Sequence, residues 1–154
     1  MRRRDYLLAQ VLGRLVFLLL EVGALLGFST LVFGVPIRGS LALVVGCCIV
    51  GALAFGGIGL LVASRAKTVE AVSGLLNLVM LPMWLLSGVF FSSSNFPEAM
   101  QPFIRLLPLT ALNESLRAVM LEGAGIPFIA SQLGLLTGWG LLSFVVALRI
   151  FRWR

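Results

Sequence analysis

The stretch 41-LALVVGCCIVGALAFGGIGLLVA-63 runs twenty-three residues without a charged side chain. At about 1.5 Å of rise per residue, a helix of that length crosses a hydrocarbon core of about 30 Å. Three further runs share this character. Leu15 to Val35 holds one charge, Glu21, and Ala71 to Phe91 and Pro127 to Leu148 hold none. In lipid each backbone N–H and C=O needs an internal partner, so such runs are helices. A β-barrel would alternate polar and apolar residues with period two, and these runs do not. The first run is too long for a signal peptide, lacks a small-x-small cleavage site and precedes more spans. The fold class is therefore all-α integral membrane, a single transmembrane domain over residues 1–154. Its spans lie near 15–35, 41–63, 71–91 and 127–148.

Composition agrees. Of 154 residues, 60% are apolar and 12% charged, against about 45–50% and about 25% in soluble domains. The mean hydropathy is +1.09. A soluble domain, a disordered chain and a disulfide-stapled secreted module are all excluded. The net charge of +6 comes from 12 basic and 6 acidic residues. The basic residues sit in short clusters between apolar runs, so they read as topology signals facing anionic lipid rather than as a nucleic-acid surface. With the N-terminus inside, nine basic residues face the cytoplasm and three (Arg38, Arg105 and Arg117) face out. The positive-inside rule places both termini in the cytoplasm. Trp153 reads as an interfacial anchor. There is no His, which removes a His-based metal site or proton shuttle. Cys47 and Cys48 read as small packing residues, and the glycines of the second span, Gly46, Gly51, Gly56, Gly57 and Gly59, read as sites of close helix packing.

The connection 92–126 is too apolar for a plain loop and too polar to span. Ser92, Ser93, Ser94 and Asn95 form a polar cluster, and Asn95 is placed to cap a short helix from Phe96 with Pro97 and Glu98 in its first turn. Pro108 breaks the chain, Thr110 is placed as the next N-cap, and Gly123 as the C-cap. Leu112, Leu116, Val119 and Met120 recur at helical spacing, leaving Asn113, Glu114 and Arg117 on a polar side. Two short helices with a Pro hinge are thus predicted at the outer face or dipping into it.

The segment 75-LLNLVMLPMWLLSGVFFSSSNFPEAMQPFIRLLPLTALNESLRAVMLEG-123 resembles the signature region of ABC-2 type transporter permeases. The matching positions are Pro82, the pair Ser87–Gly88, the pair Phe96–Pro97, the Pro-Leu-Thr of Pro108, Leu109 and Thr110, then Glu114, Arg117 and Gly123. The resemblance implies a membrane-spanning subunit of an ATP-driven exporter in the bacterial inner membrane. It implies a separate ATPase subunit that binds the ATP, a second permease copy, and an outer gate formed by the 92–126 helices. Arg65, Lys67 and Thr68, in the short loop after the second span, become candidate ATPase contacts. The chain departs from the family pattern of six spans and resembles its C-terminal four-span part. Met1-Arg2-Arg3-Arg4 corresponds to the approach to the family's third span.

Glu21 supports a reading of another class. A carboxylate inside a span is costly, roughly 2.5–3.5 kcal/mol on the insertion scale for the comparable Asp, and is a functional candidate by default. Arg14 lies two turns earlier on the same face. Small proton-coupled multidrug transporters have four spans and one Glu in the first, but tight loops that leave no place for residues 92–126. A non-transporting membrane scaffold is the third reading. No P-loop of the form GxxxxGK[ST] and no nucleophile–base pair occurs in the sequence, so the chain itself reads as neither an ATPase nor another enzyme.

Overall fold

A computed structural model of the chain describes residues 3–66, 68–90 and 95–150, with side chains described at Ala9 and from Leu12 onward. The described residues hold four long helices, α1 (Arg3–Phe33), α2 (Leu41–Arg65), α3 (Val69–Leu86) and α6 (Ile126–Ile150), and between the last two in the chain two short ones, α4 (Gln101–Leu106) and α5 (Pro108–Arg117). The described residues form no strand. The four long helices are each long and apolar enough to cross a membrane, and the chain is a multi-pass membrane protein.

The sequence places the long helices, and local chemistry adjusts their ends. α1 starts at Arg3, well before the apolar run, so its first turns are basic. It stops before Gly34, which adopts φ +61, a left-handed conformation that favours glycine. Thr68 caps α3 by accepting a hydrogen bond from the Ala71 amide at 3.2 Å. α3 ends at Leu86, five residues short of the Phe91 end read from hydropathy. The Ser87 amide closes that end on the Met83 carbonyl at 2.9 Å, and Gly88 turns the chain with φ +83. Phe91 and the serine cluster Ser92, Ser93 and Ser94 lie outside the described residues, as do Lys67 and Trp153.

The core is the pairing of α2 with α6. Both run in the same direction. Val44 and Ile129 share one buried cluster, Ala54 and Leu136 the next. Farther along, the backbones touch: a Cβ built on Gly57 would lie 2.9 Å from the Gly140 carbonyl oxygen, and one on Gly140 would lie 3.2 Å from the Ala54 Cα. Hydrogen side chains let backbones approach in this way, and dispersion contacts rather than hydrophobic transfer reward it inside lipid. Of the five glycines assigned to packing, only part serve it. Gly57 meets α6 and Gly51 meets Leu112 of α5, but Gly46, Gly56 and Gly59 have no atom within 4 Å of a would-be Cβ. α1 stands at the edge, packing through Leu26 on the cluster that holds Val44 and Ile129.

Candidate functional site: a hairpin between the spans

α4 and α5 form a helical hairpin set against α2, α3 and α6. Its turn is Leu107, whose extended backbone (φ −69, ψ 133) caps α5, with Pro108 at the first helical position. The predicted cap was Thr110, and the structure moves the cap three residues earlier, to Leu107. Proline at N1 has the required φ and gives up only an N–H that the helix would not have used. Pro108 therefore ends α4 and begins α5 at once. Thr110 falls inside the helix, 1% exposed, and its Oγ1 is the one buried side-chain polar atom without a hydrogen-bond partner among the described residues. Asn95 is likewise not the cap of a helix from Phe96. Pro97 caps a single 3-10 turn, Glu98–Met100, that leads into α4, and the Gln101 side chain donates through Nε2 to the Phe96 carbonyl at 3.2 Å.

The tip of the hairpin is held deep. The indole N–H of Trp139 donates to the Leu106 carbonyl at 2.9 Å. Trp139 stands thirteen residues after Ile126, about 20 Å along α6. That is near the middle of a helix of 25 residues. From this tip α5 climbs antiparallel to α2. Ala111 packs with Ala54, Leu112 fills the notch at Gly51, and Val119 reaches Val44 and Gly39. Pro108, Thr110, Ala111 and Ser115 are buried, so the buried face is rotated from the Leu112–Leu116 stripe read from the sequence. Leu112 and Leu116 are half-buried, packed against the core. Small residues hold the inner face because α5 lies wedged between two helices. Glu114 and Arg117 are exposed, as their polar side requires, and Asn113 donates to the Ser87 carbonyl at 3.4 Å, tying the hairpin to the end of α3.

The upper end is clasped by the α1–α2 connection. After Arg117 the helix widens into a π turn, Ala118–Glu122, and Gly123 ends it with φ +67. The widened turn leaves carbonyls without helical partners. The Arg38 amide donates to the Met120 carbonyl at 2.9 Å, and a Cβ on Gly39 would collide with the Val119 carbonyl. Sequence reading placed Gly123 correctly but did not find Gly39 or Trp139, whose contacts span 80 and 33 residues. Beneath the tip lies an apolar cavity of about 330 Å³ between α2, α3 and α6, bordered by Ile58, Met83, Leu107, Pro108, Trp139 and Ser143.

The remaining candidates are spread over the hairpin, its flanks and the other spans. Pro82 is exposed within α3. Phe96 is half-buried and Pro97 exposed before α4, Leu109 is half-buried in α5, Ser87 is buried and Gly88 half-buried at the end of α3. Arg65 is exposed at the end of α2, and Thr68 already serves as a cap. Glu21 and Arg14 are both exposed on α1, about 10 Å apart along its axis. Cys47 is buried in the cluster with Val44 and Ile129, and Cys48 is half-buried against it.

Comparison with known proteins finds relatives by sequence. The chain is 34% identical to Nodulation protein J of Bradyrhizobium diazoefficiens over 102 residues, 66% of this chain and 38% of that protein. It is 30% identical to the inner membrane transport permease YhhJ of Escherichia coli over 121 residues, 79% of this chain and 32% of the permease. It is also 30% identical to ABC transporter G family member 20 of Dictyostelium discoideum over 151 residues, 97% of this chain and 20% of that protein. The aligned chain thus spans between a fifth and two fifths of these relatives' length. No solved structure matches it. The profile of the ABC-2 type transporter family matches residues 1–121, which takes in the first three long helices and the whole hairpin, and the chain belongs to that family.

Proposed function

We propose that the chain is membrane-spanning permease machinery of an ATP-driven exporter, working with a separate ATPase subunit and a second permease copy. The observation that carries this reading is the hairpin. A helix pair that enters between spans, turns at Leu107–Pro108 at mid-depth and returns is an obstruction in the outer half of the membrane region. It packs on α2 and α6 through Ala111, Leu112 and Val119, and hydrogen bonds tie it further: Trp139 to Leu106 at the tip, Asn113 to Ser87 at mid-length, and Arg38 to Met120 at the top. Each joins the hairpin to a different long helix or to the outer connection. A rigid-body tilt of those helices would move the hairpin as a unit, the kind of transition through which packed helices switch state. The hairpin is accordingly the outer gate. The family motif positions Ser87, Gly88, Pro108, Thr110 and Gly123 build its turns and contacts.

The positive-inside bias supports an orientation with both termini and Arg65, Lys67 and Thr68 on the cytoplasmic side, where the partner ATPase would push. The relatives' greater length supports further membrane segments in the working transporter. ATP is bound by the partner, not by this chain.

The test is transport in inverted membrane vesicles holding the intact transporter. Transport is predicted to be lost when the P-loop lysine of the partner ATPase is replaced and to persist in Glu21→Gln. Transport by the purified chain alone, driven by a proton gradient and abolished in Glu21→Gln, would replace this reading with a proton-coupled exchanger.

A further inference from the structure

The cavity beneath the hairpin tip is a site that the gate does not explain. Its volume is about 330 Å³, and among the described residues no charged side chain borders it. Two polar side chains reach it, Ser143 and Trp139, and the Trp139 N–H is already committed to the Leu106 carbonyl at 2.9 Å. Water in a buried site needs two to four polar partners, and apolar cavities stay dry: one of about 150 Å³ takes up a benzene-sized hydrocarbon instead. A dry void of this size would leave its lining without dispersion contacts on one side. The cavity therefore calls for an apolar occupant.

Its position says which. The roof is Pro108, at the depth of mid-α6, so the cavity lies at the level of the hydrocarbon core. Val79 and Pro82 of α3 border it and are themselves exposed, so it opens sideways on a helix face at that same level. In a membrane such a face meets lipid tails. A slot that is apolar, laterally open and surrounded by acyl chains fits an acyl chain.

We propose that the cavity holds the acyl chain of a bilayer lipid, entering past Val79 and Pro82 and ending beneath Pro108, as a wedge under the hairpin tip. The proposal stands apart from the transport reading, since it concerns the packing of this chain in any bilayer. It makes the lipid part of the hairpin's support: the tip cannot sink farther between α2 and α3 while the chain is in place.

Trp139 borders the cavity and supplies the readout. In the Trp84→Phe/Trp153→Phe protein it is the sole tryptophan. Reconstituted into phosphatidylcholine vesicles brominated along the acyl chain, Trp139 fluorescence is predicted to be quenched. Filling the slot with Val62→Phe/Val79→Phe should reduce that quenching at least twofold, while Val32→Phe on α1 leaves it unchanged. Val79→Phe alone, at the exposed mouth, serves if the double variant fails to fold, as judged by its helical circular dichroism. Equal quenching with and without the phenylalanines would overturn the proposal. So would quenching by aqueous iodide in its place, which would mean a wet cavity. Quenching by a free brominated fatty acid but not by the brominated phospholipid would also overturn it, as would no quenching by either, which would mean that protein covers the slot.

Discussion

Two adjacent glycines in α2 should respond to the same substitution with opposite sign. A methyl group on Gly57 would lie 2.9 Å from the Gly140 carbonyl oxygen and 3.4 Å from the Ser143 Cβ. The first contact is with backbone, which cannot rotate away, so α2 and α6 must separate. Overpacking of this kind costs about 1–3 kcal/mol. A separation at this point also loosens the small-residue contacts above it, where Gly140 meets the Ala54 backbone. A methyl group on Gly56 would meet no atom within 4 Å. There the substitution only removes glycine's unfavourable helix propensity, a gain of up to about 1 kcal/mol. Gly57→Ala should thus fall below the parent and Gly56→Ala should match or exceed it, with about 1–4 kcal/mol between them. The assay is reversible unfolding in mixed micelles of rising dodecyl sulfate fraction, followed by circular dichroism. Equal midpoints for the two variants would refute the backbone contact of α2 with α6 at this level.

Other substitutions probe the hairpin. Trp139→Phe removes the donor to the Leu106 carbonyl and should cost about 0.5–1.5 kcal/mol in the same unfolding assay. Gly39→Ala would drive a methyl into the Val119 carbonyl and should release the clasp, read as increased proteolysis between residues 34 and 40. Thr110→Val keeps the shape and deletes a buried hydroxyl that has no partner, so its stability should equal or exceed the parent's. A drop of more than about 1 kcal/mol would mean that the hydroxyl is bonded. For topology, single cysteines at Ser93 and after Arg154, without Cys47 and Cys48, should react in intact cells with an impermeant thiol reagent at Ser93 and not at the tail. The reverse pattern would invert the orientation.

The long helices were legible because apolar length is a property of contiguous residues. The existence of the hairpin was legible too, from Pro108 and from a helical stripe in a segment too polar to span. Its start was misjudged because Thr110 carries a capping side chain, whereas Pro108 at N1 and an extended Leu107 do the same work without one. The end of α3 was placed too late because Val89 and Phe90 are as apolar as the span before them. Hydropathy does not register the turn at Gly88. The glycines of α2 show the limit most plainly. Gly56 and Gly57 are neighbours of one residue type, yet one faces open space and the other faces a backbone. Which is which depends on the rotation of α2 against α6, and no local signal carries that. The depth of the tip was beyond reach for the same reason, since it is fixed by an indole thirty-three residues away.

The permease reading stands or falls with that depth. Leu106 is exposed at the tip, so a spin label on Leu106→Cys, in a background lacking Cys47 and Cys48, reports the depth directly. Its collision rates with oxygen and with a water-soluble nickel chelate are compared with those of labels on Asn95→Cys and Glu122→Cys. The Leu106 label is predicted to be oxygen-accessible and shielded from nickel, as deep as a label on Gly138→Cys of α6, while the other two meet nickel freely. A Leu106 label as accessible to nickel as the label on Asn95 would place the hairpin on the surface and contradict its role as a gate.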